Sequence, residues 1–201
     1  MIPKALFVLP VAAVLAAAPT LAESLSIGAQ APMTDAKMKN VDGKDVSIAD
    51  VRGPSGTLVV FTCNHCPFAK AWESRIVELG NAYRAKGVGV IAVNANDPSA
   101  APEDAFDVMK QRAQEKGMQF PYVVDATSGV ARAFGATRTP EAFLFDKDGK
   151  LVYHGAIDDN KEDATKVGSP YLKNALDAVV AGKDVAVKET KFLGCGIKFR
   201  T

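Results

Sequence analysis

Cys63-Asn64-His65-Cys66 is the part of this 201-residue chain whose residue types and spacing could do chemistry. A thiol attacks a disulfide only as its thiolate, and a free cysteine near pKa 8.5 is about 3% ionised at pH 7. The segment follows at once on Thr57 to Thr62, a continuous apolar, β-branched run that reads as a strand buried on both faces. Pro67, directly after it, suits the first turn of a helix, where a missing N–H costs nothing. A strand-to-helix junction offers unpaired N–H groups and a helix dipole, which stabilise a thiolate. Spacing of three on a forming helix puts the second sulfur within disulfide reach of the first. Cys63, at the exposed end, is expected to attack, and Cys66, deeper, to resolve. Protonated His65 near the Cys63 sulfur would tune the pair, since stabilising the reduced form makes a couple more oxidising.

Other readings of the same residues stand beside this one. A closed zinc site needs four ligands, and the only other soft donors are His65, His154 and Cys195, with no second CxxC. Two thiolates could capture Cu(I), a copper-handling role. The pair could also be a staple in a non-catalytic binding module, although a four-residue loop closes too little chain to stabilise much. Cys195, in Phe192-Leu193-Gly194-Cys195-Gly196, reads either as a small buried apolar side chain or as a third redox thiol that exchanges with Cys63 or joins two chains. Trp72 and Tyr83 fall at core spacing. The acidic run Asp158, Asp159, Glu162 and Asp163 around Lys161 reads as a solvated loop rather than a hard-cation site. His154 has no evident partner.

The elements that must position the cysteines follow from periodicity. Apolar Phe68, Trp72, Ile76, Leu79 and Tyr83 recur at helical spacing from Pro67 to about Ala85. Val88 to Val93 is a second buried strand, giving a β-α-β unit with a parallel pair and a right-handed crossover. Pro102 opens a helix through about Lys116, Phe120 to Val124 forms a strand, and Ser128–Phe134 a short helix. Ala142–Phe145 and Leu151–His154 flank a Lys147-Asp148-Gly149-Lys150 turn, a hairpin signal. Residues 170–181 form a last helix, and Asp42-Gly43-Lys44 turns a small N-terminal hairpin between Met38–Val41 and Asp45–Ile48. The order predicts an α/β fold, a mixed central sheet flanked by helices.

Residues 1–22 read as a signal peptide: Lys4, an apolar run from Ala5 to Ala18, then small residues before a cleavage after Ala22. An uncleaved anchor is the alternative. Removal leaves a single domain, residues 23–201, with 23 basic and 23 acidic residues. No basic stretch accumulates, so nucleic acid and anionic membranes are poor partners. A periplasmic or secreted protein without stable membrane insertion is expected, in a compartment where disulfides persist.

The strand–CxxC–helix unit, Thr139-Pro140 before a strand and the Asp148-Gly149 hairpin resemble the thioredoxin-like superfamily. Ile27-Gly28-Ala29-Gln30-Ala31-Pro32 and the Val41-Asp42-Gly43-Lys44 turn resemble its redoxin branch, the AhpC/TSA and TlpA-like proteins. FTCNHCPFAK, AVNANDP, FPYVVD, HGAIDD and GCGIKF are similar to a subgroup known as thioredoxin family proteins, over roughly Ile27 to Phe199. The resemblance implies a thiol–disulfide oxidoreductase with Cys63 and Cys66 catalytic and no cofactor. His65 would set its potential above that of thioredoxin. Pro140 would be a cis-proline facing the active disulfide, with the Thr139 backbone pairing an extended substrate. Substrates would be protein or small-molecule disulfides and dithiols, with an unidentified partner recharging the pair. Thioredoxin's buried Asp, six residues before its nucleophile, is replaced by Thr57; Asp97 is the weak substitute. A thiol peroxidase is the alternative, but P-x-x-x-T-x-x-C places Gly56 and Val60 before Cys63, and Val59 and Cys63 before Cys66.

Overall fold

The computed structural model describes residues 24–200, so the leader segment lies outside the described residues. The small hairpin forms as β1 (Met38–Asn40) and β2 (Asp45–Val46). The apolar run becomes β3 (Gly56–Phe61), buried along its whole length, and leads through the cysteine segment into α1 (Pro67–Arg84). β4 (Val88–Asn94) pairs parallel with β3. The helix expected from Pro102 is broken: Pro102–Asp104 makes a single 3-10 turn, Ala105 is extended (φ −61°, ψ 148°), and α2 runs from Phe106 to Glu115. β5 (Tyr122–Val124) is shorter than the expected strand, as Pro121 cannot donate to a ladder. α3 (Gly129–Phe134) follows.

The chain then makes a piece that local periodicity does not signal, β6 (Arg138–Thr139), before the hairpin β7 (Glu141–Asp146) and β8 (Leu151–Gly155). α4 (Tyr171–Val180) is the last helix, and β9 (Cys195–Gly196) returns to pair with β6. Seven strands form one mixed sheet in the order β2-β1-β5-β4-β3-β7-β8. β3, β4 and β5 are parallel at its centre, and β7 runs antiparallel beside β3.

Side-chain alternation splits the core. Leu58 and Val60 face one layer with Trp72, Ile76, Met109 and Leu176. Val59 and Phe61 face the other, with Val130, Phe134 and Phe143. Phe61, Phe134 and Phe143 meet edge to face with centroids 5.3 to 5.7 Å apart. Each such buried ring contributes on the order of 2 kcal/mol. This floor lies beneath the C-terminal end of β3, and fixes where the cysteine segment begins.

Candidate functional site

The three cysteines converge on one point. Cys63 and Cys66 follow β3, with Cys66 as the extended N-cap of α1 and Pro67 at its first position. β9 brings Cys195 against them. Cys66 and Cys195 are bonded to each other, 129 residues apart in sequence, and Cys63 is a free thiol. In this state, therefore, Cys195 is neither a lone buried side chain nor bonded to Cys63.

Cys66 is the deeper of the pair, as expected, but Cys63 is buried as well. Cys63 is 4% exposed and Cys66 0%, while Cys195 is half-buried. Cys63 Sγ lies 3.0 Å from Thr139 Oγ1. Burial pushes its thiol up to about 11, and the charge of Asp104 adds to the effect. The Thr139 hydroxyl, the Cys66 N–H and the Asn96 amide act in the opposite sense and do not overcome it. The lowered thiol expected at a helix mouth is not found in this state, because Cys63 is buried among the packed cysteine cluster.

The Thr139–Pro140 bond is cis. Thr139 is nonetheless not open to an incoming segment: its backbone pairs with Cys195, and Arg138 pairs with Gly196. Ile197 N–H donates to Thr137 O at 2.9 Å and extends the seam. Gly194 makes the approach possible, since a Cβ there would come within 2.6 Å of Thr139 O.

The buried acid beside Cys63 and His65 is Asp104, 2% exposed, and not Asp97. Asp97, half-buried, accepts from the Ser99 N–H at 2.8 Å, which chiefly lowers its carboxyl below the usual carboxylate value. Asp104 Oδ1 accepts from the Asn64 N–H at 2.6 Å and from Asn94 Nδ2 at 3.1 Å. Its Oδ2 accepts from Asn96 Nδ2 at 2.8 Å and lies 2.6 Å from His65 Nδ1. The Tyr122 hydroxyl donates to Asn64 Oδ1, so the whole cysteine loop is tied to β4 and β5. An acid just after Pro102 in a first helical turn was the available signal, but nothing local connects it to a loop 40 residues earlier.

Cys63, His65 and Asp104 present ligand atoms all within 4.8 Å of one another. As a metal centre the set fits poorly. Two ligands on a tetrahedral ion stand roughly 3.3 Å apart, whereas the His65–Asp104 pair is at hydrogen-bond distance and both carboxylate oxygens already accept from protein donors. The arrangement is a hydrogen-bonded network beside a thiol.

The remaining polar candidates have structural partners. His154 is not isolated: its Nε2 lies 2.8 Å from Glu141 Oε1, and its ring stacks on Phe143 at 4.3 Å. Glu141 Oε2 accepts from the Thr137 and Arg138 N–H groups. Asp158 is buried rather than solvated, accepting from the Trp72 indole at 2.7 Å and pairing with Arg75. Among the described residues no helix is long and apolar enough to cross a membrane.

Comparison with known proteins places this geometry. The crystal structure of an uncharacterized conserved protein from Geobacillus kaustophilus is 40% identical, with a TM-score of 0.81, covering 87% of this chain and 93% of that one. The thiol-disulfide oxidoreductase ResA of Bacillus thuringiensis subsp. konkukian is 27% identical over 154 residues, 77% of this chain and 81% of the relative. The thioredoxin domain of a thiol-disulfide oxidoreductase from Bacteroides vulgatus is 23% identical with a TM-score of 0.54, covering 65% and 89%; at that identity it speaks for the fold alone, which is thioredoxin-like. The AhpC/TSA family model matches residues 27–154, from the N-terminal segment to the end of the hairpin, and the chain belongs to that family.

Proposed function

We propose that this protein is an exported thiol–disulfide oxidoreductase exchanging disulfides with protein or small-thiol substrates through Cys63 and Cys66. The observation that carries the reading is the convergence of all three sulfurs at one strand-to-helix junction, with a disulfide and a free thiol side by side. The relatives named ResA support it.

In the reductive direction the Cys63 thiolate attacks a substrate disulfide, forming a mixed disulfide and releasing the first substrate thiolate. Cys66 then attacks Cys63 Sγ, closing the Cys63–Cys66 bond and releasing the second. The reverse sequence oxidises a substrate dithiol. Thr139 and Pro140 supply the edge on which an extended substrate would align, and His65, held by Asp104, tunes the thiolate. Residues 1–22 serve as the export leader, and N-terminal sequencing of the exported protein checks for cleavage after Ala22.

The test is insulin disulfide reduction by the Cys63→Ser variant. Loss of turnover is expected, and full activity overturns the assignment of Cys63 as nucleophile.

A further inference from the structure

The exchange chemistry proposed above uses two sulfurs, but the fold brings three together and joins the resolving one to the tail. Four observations bear on what the third does. First, Cys66 is bonded to Cys195 while Cys63 is left reduced within the same packed cluster. Second, β9 lies as an added strand on Thr139, the edge assigned to substrate, so tail and substrate compete for one place. Third, the tail makes main-chain contacts of the kind a peptide makes, alongside the packing of Ile197 and Phe199: Asn96 Oδ1 accepts from the Lys198 N–H at 2.7 Å and the Arg138 guanidinium donates to Gly194 O at 2.9 Å. Fourth, Cys66 is sealed and Cys195 is half-buried, so an external thiol meets this disulfide at the tail sulfur.

We propose that Cys195 is a relay thiol that takes over the disulfide from the Cys63–Cys66 pair and presents it to an external dithiol reductant. After substrate leaves the Thr139 edge, the tail strand docks there and the Cys195 thiolate attacks Cys66 Sγ. The Cys66–Cys195 bond forms, the Cys63–Cys66 bond breaks, and Cys63 departs as a thiolate that takes up a proton. The step is a redox-neutral isomerisation needing no co-reactant, because one disulfide is exchanged for another. A small-molecule or protein dithiol then attacks Cys195 Sγ, and its second thiol releases the mixed disulfide. Two electrons thereby return the Cys66 and Cys195 thiols, and the reductant leaves oxidised. The described state is the relay's loaded end, with the nucleophile protonated and covered until the tail departs.

The experiment follows one turnover of the full chain. Reduced protein is mixed with insulin, quenched with an alkylating agent at intervals and digested with trypsin. Residues 53–70 carry Cys63 and Cys66 in one peptide and residues 192–198 carry Cys195, so the two disulfides are distinguishable by mass. An internal bond in the first peptide is expected to appear first and to decay as the cross-linked pair of peptides grows. The Cys195→Ser variant should keep its first turnover but slow roughly tenfold in steady turnover with a dithiol reductant. Two results overturn the relay while sparing the exchange reading. One is a wild-type turnover that stops at Cys63–Cys66 with Cys195 alkylated throughout. The other is a Cys66–Cys195 bond formed equally fast in the Cys63→Ser variant. No first turnover at all removes the exchange reading itself, and the relay with it.

Discussion

Two imidazole–carboxylate pairs with buried carboxylates lie on the loops around the sulfur cluster, and they are built from the same parts. His65 with Asp104 sits on one side, His154 with Glu141 on the other, at 2.6 and 2.8 Å. Each carboxylate also accepts backbone N–H groups of a loop that frames the cysteines: Asn64 for Asp104, Thr137 and Arg138 for Glu141. The difference lies in what the imidazole faces. His154 is stacked on Phe143 and tilted against Phe192, in apolar packing. His65 is part of a set with the Cys63 thiol and keeps 23% of its side chain exposed. The same pair is packed among apolar rings in one place and lies beside the Cys63 thiol in the other.

Truncation should break both pairs alike. Asp104→Ala and Glu141→Ala each strand several buried donors, and each should lower unfolding free energy by about 3 kcal/mol in urea titrations. A loss below about 1 kcal/mol at either site would show that water takes over the carboxylate's contacts there.

The next effect separates the two sides by pH. The Cys63 thiol, raised by burial from 9.0 to about 11, has no counterpart beside Glu141. The folded value is the higher one, so the unfolded chain gives up its proton first as pH rises. The thiol's contribution is whole below pH 9.0 and is lost through about 11. The wild type should lose up to about 2 kcal/mol more than Cys63→Ala across that window, measured by urea unfolding at each pH.

A subtler substitution removes only charge. In the oxidised protein Cys63 is the single free thiol, so alkylation by iodoacetamide reports on it alone. Asp104→Asn takes away a negative charge that adds to burial in raising the thiol, and should speed alkylation by about threefold at neutral pH. Glu141→Gln should leave the rate unchanged; equal acceleration by both would show that the two carboxylates act alike on the thiol. The smallest effect belongs to His154→Asn, about 1 kcal/mol of stability with Cys63 alkylation unaltered.

How much of this was legible in sequence depends on range. β3, α1, β4 and the β7–β8 hairpin are signalled by patterns within a few residues of each other, and they form within a residue or two of where periodicity puts them. The junction holding Cys63 and Cys66 was legible for the same reason. The β6–β9 seam was not, since two-residue strands carry no period and their partners lie 56 and 58 residues apart along the chain. The Cys66–Cys195 bond and the Asp104 contact with Asn64 are likewise non-local. The helix break at Ala105, which sets Asp104 in its own turn, hides behind residues that favour helix.

The separation of 129 residues between Cys66 and Cys195 carries one more consequence. While that bond is closed, the denatured chain is a lasso rather than a free thread, and the lost freedom is worth about 5 kcal/mol to the native state. Opening it slackens the 129-residue loop between the two cysteines, so resistance to heat and to proteases should rise and fall with each cycle of the bond.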